Sequence, residues 1–444
     1  MGDEGIRQAR LVRDALRDPR LMNALLTFGL FVVCIALMVQ GLRRRDGIYG
    51  FPFLAGATFL GFIVPQMIGL TNDRFLPVGA FEQTAIFTIL CAIMCGLGWI
   101  AGDRPAAGFR WVFDETRLLR VAAFISLFGA YFYYALSRLP PEARLSTMPS
   151  GTAVMYLFFA RMLTYGFIVA VLCFVRKPSR IALAIALFDS VFVIDRIMMG
   201  GKRGEFIEFG LAILLAAWFH RRWALPRTLA LVAVLLSILG LNSVGDYRNN
   251  TREQNGPTLE GLAQIDVVAN FQEVLKNGAP EMRNAIFLIN AYSETQEWDY
   301  GAFHWNVLVW NFVPAQLVGQ TLKQSLVIPT FNDRNYTPDL GSTETGMADA
   351  FGSFFYFGAL KFFAIAYFLA RVYRAASSGW VLAQIIYILS IPSGMLAITH
   401  HTQWIPSTLV QFALLFLPLL FIARVRRVSA ERLPAGAAVP TGTS

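Results

Sequence analysis

Histidine and cysteine are scarce in this chain, with four of each among 444 residues. Cys34, Cys91, Cys95 and Cys173 all fall inside apolar runs. Cys91 and Cys95 share a helix face but have no His or acidic neighbour at ligand spacing. These cysteines read as small core or lipid-facing residues, neither disulfide nor metal site, and neither a metal nor a cofactor is expected. Charge is also sparse: 15% of residues are charged against 56% apolar and 14% aromatic. A soluble protein of that composition would be covered in exposed apolar surface, so the chain reads as an integral membrane protein. A small-residue cleavage site is missing after the first apolar run, Leu21 to Leu42, which is also too long for a signal-peptide core and reads as a retained helix. Finally, no internal similarity relates one part of the chain to another, which weighs against a transporter built from inverted repeats.

What is present is a series of apolar stretches, each near the ~20 residues needed to cross a bilayer. They place eleven spans near 21–42, 50–70, 79–101, 118–139, 151–175, 180–199, 205–224, 227–244, 347–370, 380–399 and 404–423. The expected organisation is an all-α polytopic bundle. It comprises a basic N-terminal segment (1–20), a first bundle (21–244), a large polar loop (245–345), a second bundle (346–424) and a tail (425–444). The net charge is +9, but its cations sit in short turns between apolar runs. Membrane headgroups and insertion orientation explain that placement without nucleic acid.

Putting the tail cations Arg424, Arg426 and Arg427 in the cytoplasm places the Arg43-Arg44-Arg45, Arg176-Lys177, Arg221-Arg222 and Arg371/Arg374 turns there too. The polar loop, where acids such as Asp246, Glu260 and Glu273 outnumber the cations, then lies outside. An odd number of spans puts Arg7, Arg10, Arg13, Arg17 and Arg20 on that outer side as well. The exception implies a mis-split first hairpin or a missed span near Trp305 to Leu317. Within the loop, 259–276 and 281–292 carry helical apolar spacing, whereas 328–345 is rich in turn formers.

Several side chains stand where chemistry is expected. The turn Gly200-Gly201-Lys202-Arg203-Gly204-Glu205 offers close backbone approach, a helix start and cations suited to pyrophosphate; pairing of the cations with Glu205 or Glu208 is the structural alternative. Arg248, in Asp246-Tyr247-Arg248, is placed to join Arg203, or to serve as an interfacial anchor. Asp189 sits mid-span with Asp195 and Arg196 beyond it, and Asp189 and Arg196 share a face, which suggests an internal ion pair. The stretch 332–346 concentrates carboxylates, amides and hydroxyls, including Arg334 and Glu344. It runs into a span whose first turn holds Asp349, placed to cap that helix or to accept a proton. His304 and the His400-His401 pair titrate near neutrality and are secondary candidates.

The order of these features resembles the Wzy-type O-antigen and exopolysaccharide repeat-unit polymerases over roughly residues 180–372. The resemblance rests on Gly201-Lys202-Arg203-Gly204 opening a span, Asp246-Tyr247-Arg248 leading into the long loop, and Phe351-Gly352 to Phe357-Gly358 at the re-entry. It implies a fold like the C-type lipid-dependent glycosyltransferases in a bacterial cytoplasmic membrane. It also implies a reaction joining repeat units carried on undecaprenyl pyrophosphate at the outer face, without a required metal. A chain-length regulator is an implied partner. Under this resemblance Arg203, Arg248, Arg334 and Lys202 hold pyrophosphate, and Glu344 or Asp349 takes the hydroxyl proton. The related O-antigen ligases carry a His-Asn-type motif before the same span. Here Ser342 to Met347 contains no histidine, which favours polymerase over ligase, with a lipid-oligosaccharide flippase as a further alternative.

Overall fold

The computed structural model describes residues 19–105, 110–140, 152–200, 203–241, 243–253, 258, 261, 263–329 and 342–425. The described residues are overwhelmingly helical and form no strand; the one extended pairing is an isolated bridge between Phe113 and Arg424. Among the described residues, eight helices are long and apolar enough to cross a membrane. Five come first: α1 (Pro19–Leu42), α2 (Phe51–Leu70), α3 (Ala80–Gly102), α4 (Glu115–Ser137) and α5 (Thr152–Arg176). Three more close the chain: the interrupted Gly346–Ser377, then Val381–Thr399 and Trp404–Ala423.

The three other expected spans also form helices, α6 (Arg180–Gly200), α7 (Arg203–Arg221) and α8 (Arg227–Leu241). They differ from the eight for a chemical reason. Asp189, Asp195 and Arg196 interrupt the apolar character of α6, Arg203, Glu205 and Glu208 that of α7, and α8 is short.

The described part of the polar stretch between α8 and residue 346 is largely helical. It contains α9 (Val244–Glu253), α10 (Val267–Asn277), α11 (Pro280–Thr295), α12 (Ala302–Phe312), α13 (Ala315–Val318) and α14 (Gln320–Ser325). Asp266 starts α10 by accepting hydrogen bonds from the Val268 and Ala269 amides at 3.1 and 2.9 Å. Pro280 starts α11, which buries Met282, Ala285, Ile286, Leu288 and Ile289 against α3 and the re-entering chain. The segment therefore folds onto the bundle. Helix α12 is not the missing span: its eleven residues reach only about 16 Å, and Pro314 follows shortly after its end. Arg283 of α11 meets Asp73, just beyond α2, at 2.8 Å.

The re-entering span is broken. Helix α15 (Gly346–Phe354) ends at Phe355, whose φ of +53° and ψ of −139° are strained for a side chain with a Cβ. A 3-10 turn over Phe355–Ala359 follows, and α16 (Leu360–Ser377) resumes the span. The chain doubles back so tightly that a Cβ at Gly358 would lie 1.9 Å from the Ala350 carbonyl oxygen, and one at Gly352 would enter the Tyr292 ring. The last two helices are α17 (Val381–Thr399) and α18 (Trp404–Ala423). Helices α3 and α16 approach closely along a glycine edge. Cβ atoms at Gly98 and Gly102 would stand 2.2 and 2.5 Å from the Phe363 and Tyr367 carbonyl oxygens.

The basic turns gather at one end of the bundle. Asp103 meets Arg44 at 3.2 Å and is bonded by Arg374. Arg222 donates to the Ser377 carbonyl at 2.8 Å and Arg221 to that of Val175 at 2.9 Å. The Asp114 amide donates to the Ala423 carbonyl. Burial alone would raise the Asp103 carboxyl, but the Arg374 and Arg44 guanidiniums outweigh it and hold the group below its ordinary range.

Candidate functional site

At the opposite end, α12, the start of α16 and the turn between α17 and α18 converge on Asp349 of α15. Helix α15 is pinned to α17 because a Cβ at Gly346 would stand 1.7 Å from the Ala397 carbonyl oxygen. Asn284 of α11 holds the incoming chain by donating to Ser342 Oγ and the Thr343 carbonyl at 2.8 and 3.2 Å. Asp349, 5% exposed, does not cap its own helix, whose cap residue is Thr345. Its carboxylate instead accepts from the Thr402 amide and hydroxyl at 2.5 and 2.7 Å, in the turn between α17 and α18.

Lys361 reaches back across the helix break. Its ammonium donates to Ser353 Oγ at 2.8 Å and lies 3.5 Å from Asp349 Oδ1. Two histidines flank the pair, His304 Nε2 at 3.9 Å from Oδ1 and His401 Nδ1 at 3.8 Å from Oδ2. Among the described residues no group of three or more His, Cys, Asp or Glu is arranged to hold a metal ion.

His304 Nε2 stands between a hydroxyl and an ammonium, 2.7 Å from Thr402 Oγ1 and 3.4 Å from Lys361 Nζ, while Thr402 gives its hydroxyl proton to Asp349 Oδ1. Nδ1 of His304 is enclosed and without a hydrogen-bond partner. Burial pushes this imidazole down to about 4, against the pull of the Asp349 carboxylate and with the Lys361 charge adding to the effect. Burial also lowers His401, opposed by the charge of Glu344. The arrangement links His304, Thr402 and Asp349 in one chain of contacts, with Lys361 balancing the carboxylate.

Other candidates fall at varying distances from this cluster. Asp349, His304 and His401 come together, although the flanking Trp305 and Trp404 mark both histidines as ordinary interfacial residues in the sequence. Glu344 is half-buried on the approach to α15. His400 turns aside, its Nδ1 2.8 Å from Thr399 Oγ1 and its ring against Trp404. Arg203 opens α7, where Gly204 packs on Leu396 of α17, one turn before His400, so that turn borders the cluster. The Arg203 side chain, Lys202 and Arg334 lie outside the described residues. Arg248 is exposed on α9, beside Tyr247, whose hydroxyl bonds the Met198 carbonyl near the end of α6.

The expected Asp189–Arg196 pair does not form. Arg196 binds Glu205 at 2.5 Å and Asp189 accepts from Ser126 at 2.8 Å, because Glu205, at the start of α7, folds back beside Arg196. Asp195 accepts from Tyr133. Glu205 and Glu208 are engaged by Arg196 and Arg161, which are not the cations of the 202–203 turn. Lys361 and Thr402 are the site residues missed in the sequence. A lysine inside the apolar run 350–370 was the available signal, since an ionisable group at membrane depth needs a partner.

No family model, curated protein or solved structure matches the chain.

Proposed function

We propose that the chain is a membrane glycosyltransferase that polymerises oligosaccharide repeat units carried on undecaprenyl pyrophosphate, at the outer face of a bacterial cytoplasmic membrane. The observation that carries this reading is the His304–Thr402–Asp349 chain of contacts, enclosed at the end of the bundle opposite the basic turns and bordered by the Gly204 turn. In the proposed reaction the acceptor hydroxyl attacks the anomeric carbon of the donor glycan and its proton passes to the His304–Asp349 cluster. The bond from that carbon to the pyrophosphate oxygen breaks, and the electron pair leaves with the lipid pyrophosphate. Asp349, through Thr402, orients the imidazole and stabilises it once protonated, while Arg203 and Arg248 offset the charge on the leaving group. Glu344 stands beside His401 as a second acidic group on the approach.

The ligase reading also gains an observation. No histidine precedes α15 in sequence, yet the fold brings His304 and His401 to Asp349, so an outer-face histidine is within reach of the re-entry. Glycan length separates the two. Cells lacking the protein are complemented with wild type, Arg203→Ala or His304→Gln at matched membrane levels, and their polysaccharide is resolved as a gel ladder. Loss of long chains with single repeat units retained, unrescued by either variant, is the expected outcome. Long chains accumulating unattached on their lipid indicate the ligase, and unaltered ladders in the deletion refute both.

A further inference from the structure

Half way along α6 stands Asp189, 0% exposed. Its Oδ2 accepts one hydrogen bond, from Ser126 Oγ of α4 at 2.8 Å, and its Oδ1 is enclosed with no partner. The niche exists because residue 166 of α5 is glycine: a Cβ there would lie 2.2 Å from Ser126 Oγ and 2.8 Å from Asp189 Oδ2. The charged and titratable groups of the surrounding helices are committed elsewhere. On α5, Arg161 faces Glu208 of α7 at 3.5 Å, and Tyr165 stacks on Phe416. On α6, Arg196 binds Glu205 of α7, and Asp195 takes the Tyr133 hydroxyl of α4. Arg176 and His220, with Glu115, line a separate cavity toward the basic end. No described cation lies within ion-pairing distance of Asp189.

A carboxylate enclosed in a helix bundle with one hydroxyl donor and no counter-ion is far costlier than the neutral acid. A cavity of about 10 Å³, room for a single water, lies between α5, α6 and α7; it is lined by Thr164, Val193, Glu205 and Glu208 and not by Asp189, and reaches α6 one turn along from Asp189. It leads to the start of α7, the end of the bundle that also holds the Asp349 cluster. We propose that Asp189 is a proton-binding site, occupied as a neutral carboxylic acid in the resting bundle and exchanging its proton with that end through this cavity. On unloading, the Oδ1–H bond breaks, the electron pair stays on Oδ1 and the proton passes to a water that enters from the cavity when the helices part over the one turn separating it from Asp189; Ser126 continues to donate to Oδ2. Loading is the reverse.

The inference is independent of glycosyl transfer, and so is its test. Full-length protein in lipid nanodiscs near neutral pH is compared by infrared difference spectroscopy with Asp189→Asn and Ser126→Ala. The wild type is expected to show a protonated-carboxyl carbonyl band that disappears in D189N, moves to higher frequency in S126A, and shifts on transfer to D2O. Val193→Phe, which fills the cavity, slows that D2O shift. A wild-type minus D189N difference containing only carboxylate bands overturns the proposal. So does a carbonyl band unmoved in S126A, which retains the carboxyl and serves if D189N fails to fold. A D2O shift as fast in V193F as in wild type overturns the route.

Discussion

His304 is a single residue on whose charge state the proposed proton transfer at Asp349 depends. Its folded value of about 4 lies below the ordinary imidazole value of 6.5, so protonation favours the unfolded chain. The stability it contributes is complete above the ordinary value and is lost as pH falls from there through about 4, with a slope approaching ~1.4 kcal/mol per pH unit inside that window. Thermal unfolding of detergent-solubilised protein should therefore show a midpoint that drops on acidification through this range in the wild type and drops less in His304→Gln. Equal slopes in the two proteins would mean that the ring is already charged in the fold. Asp349, His304 and His401 were legible in the sequence as titratable groups near apolar segments. Their company was not: Thr402 lies 98 positions from His304 and 53 from Asp349. No local spacing encodes a contact made by packing α12, α15 and the α17–α18 turn together.

Helices were the most legible level, because unbroken apolar runs allow little else in a bilayer. The break at Phe355 escaped, since no proline or glycine marks the residue that carries the positive φ. The flanking glycines were visible as the Phe-Gly pairs of the re-entry, and their reason emerges as lack of space for a Cβ. Gly346 gives the sharpest test of that reasoning. Gly346→Ala must part α15 from α17 and should destabilise by about 1–3 kcal/mol or more, disturbing the Thr402 contacts with it. Gly210→Ala, where nothing lies within 4 Å, should be neutral or stabilise by up to ~1 kcal/mol. A thermal-shift comparison that ranks the two the other way contradicts the packing described for this end.

For the molecule as a whole, charge in the turns foretold which loops share an end, and the hydrogen bonds among Arg44, Asp103, Arg374, Arg222 and Ser377 bear this out. The positive-inside tendency predicts that the basic end faces the cytoplasm. The four native cysteines are buried, which leaves a low background for labelling. Thr295→Cys, on the exposed end of α11, should react with a membrane-impermeant maleimide on intact cells. Ser378→Cys, beside the basic cluster, should react only after permeabilisation; the reverse pattern would invert the molecule and put the Asp349 cluster inside.

The glycine edge between α3 and α16 has a mechanical meaning. Where backbones touch, two rods cannot roll or slide past each other without collision, so this pair behaves as a single beam. A carrier that rocks open alternately to each side would need its hinge elsewhere. The beam carries Lys361 near one extremity and Arg374 near the other. Asp349 sits off the beam, on α15 beyond the break at Phe355, so opening around it is expected in α15 and the elements that hold it, α12 and the α17–α18 turn.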